Sequence, residues 1–293
     1  MLLKDVIKNA KDKLETAGIS DATEEARWLL EDLLGIPLSK QLAEPELEIS
    51  EEEVTIFSDA ITRRSLHEPY AYIVGKQEFY GLNFSVENCL VPRPESEQLV
   101  SIAQSFAKRN FLSGTHLPIA DLCAGTGCLG ISLALKLQNS GYAVELLATE
   151  MEANSLETCK LNYRNYGFDD NSVQQADIFP PAGESYQIIL VNPPYVSSEE
   201  YINLQPEVRD YEPQAALIGG EDGLDYYRRL ADEAMDFLAP KSILLMEHGQ
   251  GQREAVRELF ADWLEQGFNE ITADDDRGID RIYGLVRGVL PEE

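Results

Sequence analysis

Basic side chains are scarce in this chain of 293 residues. Lysine and arginine together number 24, against 52 aspartates and glutamates, and the formal net charge is −28. Such a charge opposes non-specific attraction to DNA, RNA or anionic membranes, because lysine and arginine must neutralise phosphate in those contacts. The composition therefore predicts neither a direct nucleic-acid partner nor a membrane partner.

Histidines and paired cysteines are scarce as well. The chain has three histidines, and its cysteines, Cys89, Cys123, Cys128 and Cys159, form no C-x-x-C pair. This pattern provides no recognisable His/Cys metal site and favours reduced thiols. The first residues show no secretory signal pattern, and no apolar run approaches the roughly 20 residues that span a bilayer. We therefore expect a cytoplasmic protein without a metal.

Changes in composition divide the chain into three predicted parts. Residues 1–70 carry apolar stripes at helical spacing and are predicted to form a small helical bundle. They include 16 acidic and 8 basic residues, so they offer no basic stripe to a nucleic acid. Residues 71–92 are rich in Tyr, Phe and Val with turn-forming Gly and Asn, which predicts a β-ribbon linker. Residues 93–293 form the third and largest part.

Strands and helices alternate through most of this third part. The strands are predicted over 117–122, 143–149, 172–176, 187–191, 242–247, 269–273 and 281–287. Such alternation is typical of an α/β fold with a doubly wound, mostly parallel sheet. In open sheets of this kind, ligands bind at the carboxyl ends of the strands. The residues that directly follow the strands are therefore the candidates for a functional site.

A glycine-containing turn, from Asp121 to Gly127, follows the first of these strands. Gly125 and Gly127 let the backbone pass close to a ligand, and the next helix begins there with free N–H groups. The G-x-G-x-x-G dinucleotide spacing is absent, and no Gly-Lys-Ser/Thr follows as in a phosphate-binding P-loop. Glycine turns between strand and helix are also common for structural reasons, so the turn alone identifies no ligand.

Acidic residues follow the next two strands. Glu150 lies where a carboxylate can accept hydrogen bonds from both hydroxyls of a ribose. Asp177 lies where an acid can meet the amino group of adenine. Taken singly, each is as easily explained as a helix-terminal charge or a turn former. Together with the glycine turn, they indicate a ligand that carries adenosine but no phosphate anchor, which favours S-adenosylmethionine over NAD or ATP.

The fourth strand end carries Asn192-Pro193-Pro194-Tyr195. The two prolines end the strand and have no N–H, so they form a stiff corner with bare carbonyl groups. Amide and exocyclic base nitrogens are poor nucleophiles because their lone pair is delocalised. Acceptors at the Asn192 side chain and the Pro193 carbonyl would orient that lone pair in the transition state, while Tyr195 lies against the flat group. Methyl transfer would then depend on positioning more than on a general base.

Several longer motifs are similar to those of the peptide chain release factor N(5)-glutamine methyltransferases, which belong to the seven-stranded S-adenosylmethionine-dependent class. The similar motifs are Glu68-Pro69-Tyr70-Ala71-Tyr72-Ile73, Phe79-Tyr80-Gly81-Leu82, Val91-Pro92-Arg93-Pro94-Glu95, the glycine turn, Asn192-Pro193-Pro194-Tyr195, Glu212-Pro213 and Gly219-Gly220-Glu221-Asp222-Gly223-Leu224-Asp225. The resemblance covers nearly the whole chain. It departs at Cys123, where the family commonly has glycine, so this turn must suit a residue with a side chain.

The resemblance implies methylation of the glutamine in the Gly-Gly-Gln motif of release factors. It implies that 1–70 form a domain that helps dock the release factor, 71–92 a hairpin linker and 93–293 the catalytic domain. The glutamine would be bound by Asn192, Pro193, Pro194 and Tyr195, of which Asn192, Pro193 and Tyr195 would be catalytic. The residues expected at the S-adenosylmethionine site are Asp121, Cys123, Ala124, Gly125, Thr126, Gly127, Glu150, Asp177, Ile178 and Asn192.

Three alternatives to release-factor methylation stay open at this point. A related enzyme of the same class methylates a glutamine of a ribosomal large-subunit protein. An adenine methyltransferase would use the same acceptor geometry on an exocyclic amine, although the acidity of the chain argues against nucleic acid. A regulator that binds S-adenosylmethionine without catalysis would have no need of the intact acceptor motif. The oligomeric state is not determined by the sequence, and a monomer is favoured.

Overall fold

The computed structural model describes residues 1–275 and 277–290 of the chain. The chain forms two compact units. One comprises Met1–Lys76 together with Gln205–Tyr211, and the other comprises Gln77–Leu204 together with Glu212–Glu293. Among the described residues, no helix is both long enough and apolar enough to cross a membrane.

The first unit is helical over most of its length. Its helices before the linker are α1 (Leu3–Thr16), α2 (Ala22–Leu34), α3 (Leu38–Ala43), α4 (Glu51–Ser65) and α5 (Tyr70–Val74). The apolar stripes of α1, α2 and α4 meet in one core, to which Leu14, Leu30 and Phe57 contribute fully buried side chains. The capping box of Ser50 and Glu53 is formed at the start of α4, where the Ser50 side chain accepts from the Glu53 N–H.

The predicted β-ribbon is shorter in the structure than its composition indicated. Tyr70–Val74 forms helix α5, because Pro69 begins a helical turn, Gly75 ends it in the left-handed region, and Ile73 is buried in the helical core. The ribbon itself is a two-stranded sheet of β1 (Lys76–Phe79) and β2 (Leu82–Ser85). The division of the chain at residues 70 and 92 stays a prediction.

The second unit is built on a seven-stranded sheet. Its strands are β3 (His116–Leu122), β4 (Ala143–Glu150), β5 (Val173–Gln175), β6 (Tyr186–Val191), β7 (Leu238–Glu247), β8 (Asn269–Asp274) and β9 (Asp280–Arg287). Their order in the sheet is β5-β4-β3-β6-β7-β9-β8. The pairs among β3 to β7 are parallel, and β9 is antiparallel to both β7 and β8. The predicted mostly parallel α/β fold is therefore confirmed.

Helices cover both faces of this sheet. The helices of the second unit are α6 (Glu97–Asn110), α7 (Cys128–Asn139), α8 (Ala153–Asn165), α9 (Ser198–Tyr201), α11 (Asp225–Glu233), α12 (Arg253–Leu259) and α13 (Ala261–Glu265), whereas α10 (Pro206–Arg209) belongs to the first unit. Along β6, Ile188 and Leu190 face the core formed with α6, α7 and α8, whereas Ile189 and Val191 face the core on the other side. Because β6 is buried on both faces, its sequence is an uninterrupted run of apolar residues.

The long segment 196–222 contains short structure of its own. It includes α9, α10 and a short 3-10 turn at Gln214–Ala216. Its two ends meet at an isolated bridge between Val196 and Ile218, where the Val196 N–H donates to the Leu217 carbonyl at 2.8 Å. The segment therefore leaves the end of β6 and returns beside it.

Candidate functional site

The carboxyl ends of the central strands are in register. Leu122 at the end of β3 pairs with Val191 of β6 on one side and with Thr149 of β4 on the other. The chain first builds the sheet outward from β3 to β5 and then places β6 on the opposite side of β3. This is the topological switch point at which open α/β sheets bind ligands.

A cleft with about 840 Å³ of empty space, part of it open solvent, lies at this edge of the sheet. A cleft at the carboxyl ends of the strands is the usual place for a small-molecule site in an open α/β sheet. The predicted site residues that line it are Cys123, Ala124, Gly125, Thr126, Glu150, Asp177, Ile178, Asn192 and Pro194. The other predicted residues, Asp121, Gly127, Pro193 and Tyr195, are not part of its lining and lie behind or beside it.

The turn after β3 has an unusual backbone. Cys123, Gly125 and Gly127 all lie in the left-handed region, with φ angles of 56°, 54° and 75°. A Cβ atom at Gly127 would come within 2.9 Å of the Cys159 sulfur and 3.0 Å of the Tyr163 ring, so packing requires glycine there. A Cβ atom at Gly125 would meet no protein atom within 4 Å. Open space therefore remains beside the backbone at Gly125.

Glu150 is held against this turn by backbone donors. Its Oε2 atom accepts the Gly125 N–H at 2.8 Å, and its Oε1 atom accepts the Glu152 N–H at 2.9 Å. Burial raises the pKa of the Glu150 carboxyl, while the backbone N–H donors oppose that shift. Each carboxylate oxygen retains capacity for a second donor, so the pair suits a ligand with two adjacent hydroxyl groups.

Asp121 lies beneath the turn and supports it. The side chain is fully buried, and its Oδ2 atom accepts the Gly130 N–H at 2.8 Å from the first turn of α7. Its Oδ1 atom has no hydrogen-bond partner within the described part of the chain. Burial raises the pKa of Asp121 to about 7. The structure thus places Asp121 against the start of α7, outside the cleft lining.

Asp177 and Ile178 follow β5 on the far wall of the cleft. The Asp177 side chain is exposed and forms an ion pair with Arg229 at 2.8 Å. Ile178 is buried with a φ of 69°, and its carbonyl accepts the Thr149 hydroxyl at 2.5 Å. Ile178 therefore brings apolar surface to the wall.

The two polar atoms of the Asn192 side-chain amide differ in their hydrogen bonding. Its Nδ2 atom donates to the Ser96 hydroxyl at 3.2 Å. Its Oδ1 atom is buried and accepts no hydrogen bond from any described residue. A buried carbonyl oxygen without a donor is rare in folded proteins and costs free energy. The site thus contains a vacant acceptor at the predicted methyl-acceptor corner.

The rest of the corner is tightly enclosed. Pro193 and Pro194 are buried, and a Cβ atom at Gly219 would come within 2.4 Å of the Pro194 carbonyl oxygen. The Tyr195 hydroxyl donates to Glu247 Oε1 at 3.2 Å. Burial raises the pKa of Tyr195 far above its ordinary value, so the phenol stays protonated. Its hydroxyl group anchors the corner to the end of β7.

Four residues near the site escaped the sequence-based prediction of roles. Ser96 and Arg93 line the cleft, Glu247 binds Ser96 and Tyr195, and the buried carboxylate of Glu212 pairs with Arg93 at 2.5 Å. Glu247 ends strand β7, so the rule that selected Glu150, an acid at a strand end, would have found it. Ser96 carried no signal of its own, because only the folded chain brings it to Asn192.

These donors and acceptors fit S-adenosylmethionine. Glu150 offers two acceptor oxygens for ribose hydroxyls, and the open backbone at Gly125 allows close approach. Ile178 and Leu129 give the wall an apolar surface for a base, and Arg93 supplies a positive charge for a carboxylate. The sequence carries no P-loop that would bind a triphosphate. In the described ranges 1–275 and 277–290, no cluster of metal-ligating side chains occurs.

Comparisons with known proteins identify the family. The model of the PrmC N-terminal domain matches residues 5–75, and that of the methyltransferase small domain matches residues 101–206. A release factor glutamine methyltransferase of Geobacter sulfurreducens is 32% identical over 285 residues, which cover 96% of this chain and 95% of that protein. One from Clostridium acetobutylicum is 31% identical, covering 99% of this chain and 100% of its own length.

Among solved structures, the hMettl16 catalytic domain in complex with the MAT2A 3′UTR hairpin 1 has a TM-score of 0.52. It is 14% identical, with 92% of this chain and 94% of that chain covered, and at this identity it shows the shared fold alone. The sequence relatives confirm the methyltransferase class, whose methyl donor is S-adenosylmethionine, and the resemblance inferred from the motifs. The chain therefore belongs to the release factor glutamine methyltransferase family.

Proposed function

We propose that this protein transfers a methyl group from S-adenosylmethionine to the side-chain amide nitrogen of the glutamine in the Gly-Gly-Gln motif of peptide chain release factors. The observation that carries the proposal is the buried Oδ1 atom of Asn192, which accepts no hydrogen bond from a described residue and belongs to a residue that lines the cleft. A primary amide brings two N–H donors to such an acceptor. The names of the full-length relatives indicate the same substrate.

Each residue at the corner has a separate role in positioning the glutamine amide of the substrate. Asn192 Oδ1 accepts one N–H of the substrate, and the Pro193 carbonyl accepts the other, so the nitrogen lone pair is turned toward the methyl group. Tyr195 packs against the flat amide, and Pro194 holds the shape of the corner. Bound S-adenosylmethionine would supply an electrophilic methyl group on a sulfonium and leave as S-adenosylhomocysteine, and the methylated nitrogen would release one proton after the transfer. Since no nitrogen proton must leave before transfer, the corner acts by orientation and charge stabilisation.

The cofactor residues hold the nucleoside part of the donor. The Glu150 carboxylate accepts the ribose hydroxyls, the turn from Cys123 to Gly127 lies along the ligand, and Asp177 with Ile178 flanks the base. Asp121 supports the turn from below through the start of α7. Arg93, fixed by Glu212, attracts the carboxylate of the methionine part.

The acidity of the chain favours a protein substrate over a nucleic-acid substrate. An adenine amine would satisfy the same acceptors, but the net charge of −28 opposes the phosphate contacts that dominate nucleic-acid binding. A protein loop that carries the glutamine has no phosphate backbone and is not subject to this repulsion. We therefore propose a protein partner without direct nucleic-acid contact, a cytoplasmic location where translation takes place, and a monomeric enzyme whose helical unit helps dock the release factor.

The proposal is tested with tritiated S-adenosylmethionine. The full-length protein is incubated with a release factor, with its Gly-Gly-Gln variant in which the glutamine is alanine, and with large ribosomal subunits. We expect label on the wild-type factor alone. Equal label on the factor and its Gln→Ala variant, or label on ribosomal protein or RNA only, would contradict the proposal.

A further inference from the structure

We infer that Glu247 and Ser96 form a hydrogen-bond relay that sets the orientation of the Asn192 amide, and that both are positioning residues for methyl transfer. This inference rests on the proposed function of Asn192 and deepens it. It concerns two residues outside the methyl-acceptor motif, one at the end of β7 and one just before α6.

The relay is buried from end to end. Glu247 is 2% exposed and Ser96 is 2% exposed. The Ser96 hydroxyl forms a short hydrogen bond with Glu247 Oε2, and the Tyr195 hydroxyl donates to Glu247 Oε1 at 3.2 Å. Ser96 Oγ also lies 3.2 Å from Asn192 Nδ2. One carboxylate therefore holds the last residue of the acceptor corner directly and the first residue through a serine.

The direction of each hydrogen bond follows from the chemistry of the groups. Burial raises the pKa of the Glu247 carboxyl, while the Ser96 and Tyr195 hydroxyl donors and the charge of Arg281 oppose that shift. In its ionised form the carboxylate only accepts, so the Ser96 and Tyr195 hydroxyl groups both donate to it. Ser96 Oγ then has only lone pairs left, and it can bond Asn192 only if the amide turns its NH₂ group toward the serine. The carbonyl oxygen of Asn192 must consequently be the other end of the amide, and it accepts no hydrogen bond from the residues that the structure describes.

The opposite orientation of the amide would disable the corner. If Asn192 were turned by half a rotation, its NH₂ group would stand where the substrate N–H needs an acceptor, and two donors would face each other. Oxygen and nitrogen of an amide are nearly equal in size, so shape alone does not choose between the two orientations. Ser96 donates to Glu247 and accepts from Asn192, and these two hydrogen bonds select the orientation of the Asn192 amide before the substrate arrives.

Ser96→Ala and Ser96→Thr form the decisive pair of variants. Alanine removes the acceptor for Asn192 Nδ2, whereas threonine keeps a hydroxyl group at the same place. We expect Ser96→Ala to lower kcat on a release factor about 10- to 100-fold, as loss of one oriented donor or acceptor does at other active sites. We expect Ser96→Thr to retain kcat within about threefold. The Kd for S-adenosylmethionine, measured by calorimetry, should stay within about threefold in both variants.

Glu247→Gln tests the other end of the relay. Glutamine is isosteric but has only one acceptor oxygen, so it cannot accept both the Ser96 and the Tyr195 hydroxyl protons. We expect a drop in kcat of at least about 10-fold with cofactor affinity retained. Thermal unfolding of each variant, with and without S-adenosylmethionine, reports folding independently of activity.

The outcomes distinguish the relay from the proposed function. Labelling of the factor by the wild-type enzyme together with an unchanged kcat in Ser96→Ala overturns the relay and leaves the function standing. Equal loss of kcat and of cofactor affinity in Ser96→Ala and Ser96→Thr means that Ser96 merely supports the fold, and also overturns the relay. If the wild-type enzyme labels no release factor, the proposed function fails and the role of the relay fails with it.

Discussion

Asp121 shows how a single buried carboxyl links the site to stability. Burial raises its pKa from 3.8 to about 7; one oxygen accepts the Gly130 N–H, and the other has no hydrogen-bond partner among the residues described. Between these two pKa values the folded protein binds a proton that the unfolded chain has released. Each rise in pH within this window therefore favours unfolding, by at most about 1.4 kcal/mol per pH unit for one proton.

Asp121→Asn should remove this pH dependence. Asparagine can still accept the Gly130 N–H, and it stays neutral at every pH. We expect the free energy of unfolding of the variant, relative to wild type, to increase from pH 4 to pH 7 and to level off above about pH 8. Urea denaturation at a series of pH values measures this difference. A flat difference for Asp121→Asn would refute the prediction.

At the scale of single residues, sequence patterns predicted which residues lie at the site more accurately than which residues contact each other. Strand ends directed attention to Cys123, Glu150 and Asn192, and the structure places all three on one cleft. Asp121 was grouped with the cofactor residues because it adjoins the glycine turn, and its burial became visible only in the fold. The partnership of Ser96 with Asn192 joins positions 96 residues apart, and no local pattern encodes such a contact.

Among the elements, the segment 196–222 shapes the acceptor corner through its glycines. Gly219 lies so close to the corner that a Cβ atom would come within 2.4 Å of the Pro194 carbonyl oxygen and 3.0 Å of its carbon. These are backbone atoms, which cannot move aside as a flexible side chain would. The corner and the end of this segment therefore have to shift together.

Gly219→Ala should displace the acceptor corner. Since misplacement of a reacting group by about 1 Å can cost on the order of 100-fold in rate, we expect kcat to fall 10- to 100-fold. Gly267→Ala is the control, because a Cβ atom at Gly267 meets no atom within 4 Å and only backbone strain at a φ of 89° is introduced. Steady-state kinetics of both variants measure these kcat values. Equal kcat values for Gly219→Ala and wild type would disprove the packing argument.

Helix α4 carries two adjacent arginines with opposite environments. Arg64 is 7% exposed and pairs with Glu25 at 2.5 Å and with Glu207 at 3.2 Å. Arg63, with 40% of its side chain exposed, pairs with Glu68. The difference arises because Arg64 lies on the face of α4 that packs inside the helical unit, which only tertiary structure defines.

Arg64→Ala should destabilise the helical unit far more than Arg63→Ala. Removing Arg64 leaves two carboxylates without their buried partner, which typically costs about 3–5 kcal/mol, whereas an exposed pair contributes about 0–1 kcal/mol. Hydrogen exchange of α4 amides in the full-length protein measures both losses in one experiment. Similar protection in the two variants would show that the buried network does not stabilise this unit.

For the whole molecule, the mostly parallel α/β sheet was predictable from the sequence, and the contacts between distant segments were not. The alternation of apolar strands and amphipathic helices predicted the parallel sheet, because each strand is buried on both faces and each helix on one. Residues 71–74 were predicted as ribbon from their β-forming composition, but they belong to helix α5, in which Ala71 and Ile73 are buried. The membership of Gln205–Tyr211 in the helical unit could not be foreseen, since it depends on contacts such as that of Arg64 with Glu207.

The most direct measurement locates the methyl group itself. Full-length wild type and Asn192→Ala are incubated with S-adenosylmethionine and a release factor, and tandem mass spectrometry reads the peptide that contains Gly-Gly-Gln. We predict one methyl group on the glutamine side chain with wild type, none with Asn192→Ala, and a Kd for S-adenosylmethionine within about threefold in the variant. A methyl group at any other site, or equal modification by Asn192→Ala, would contradict the function proposed for the acceptor corner.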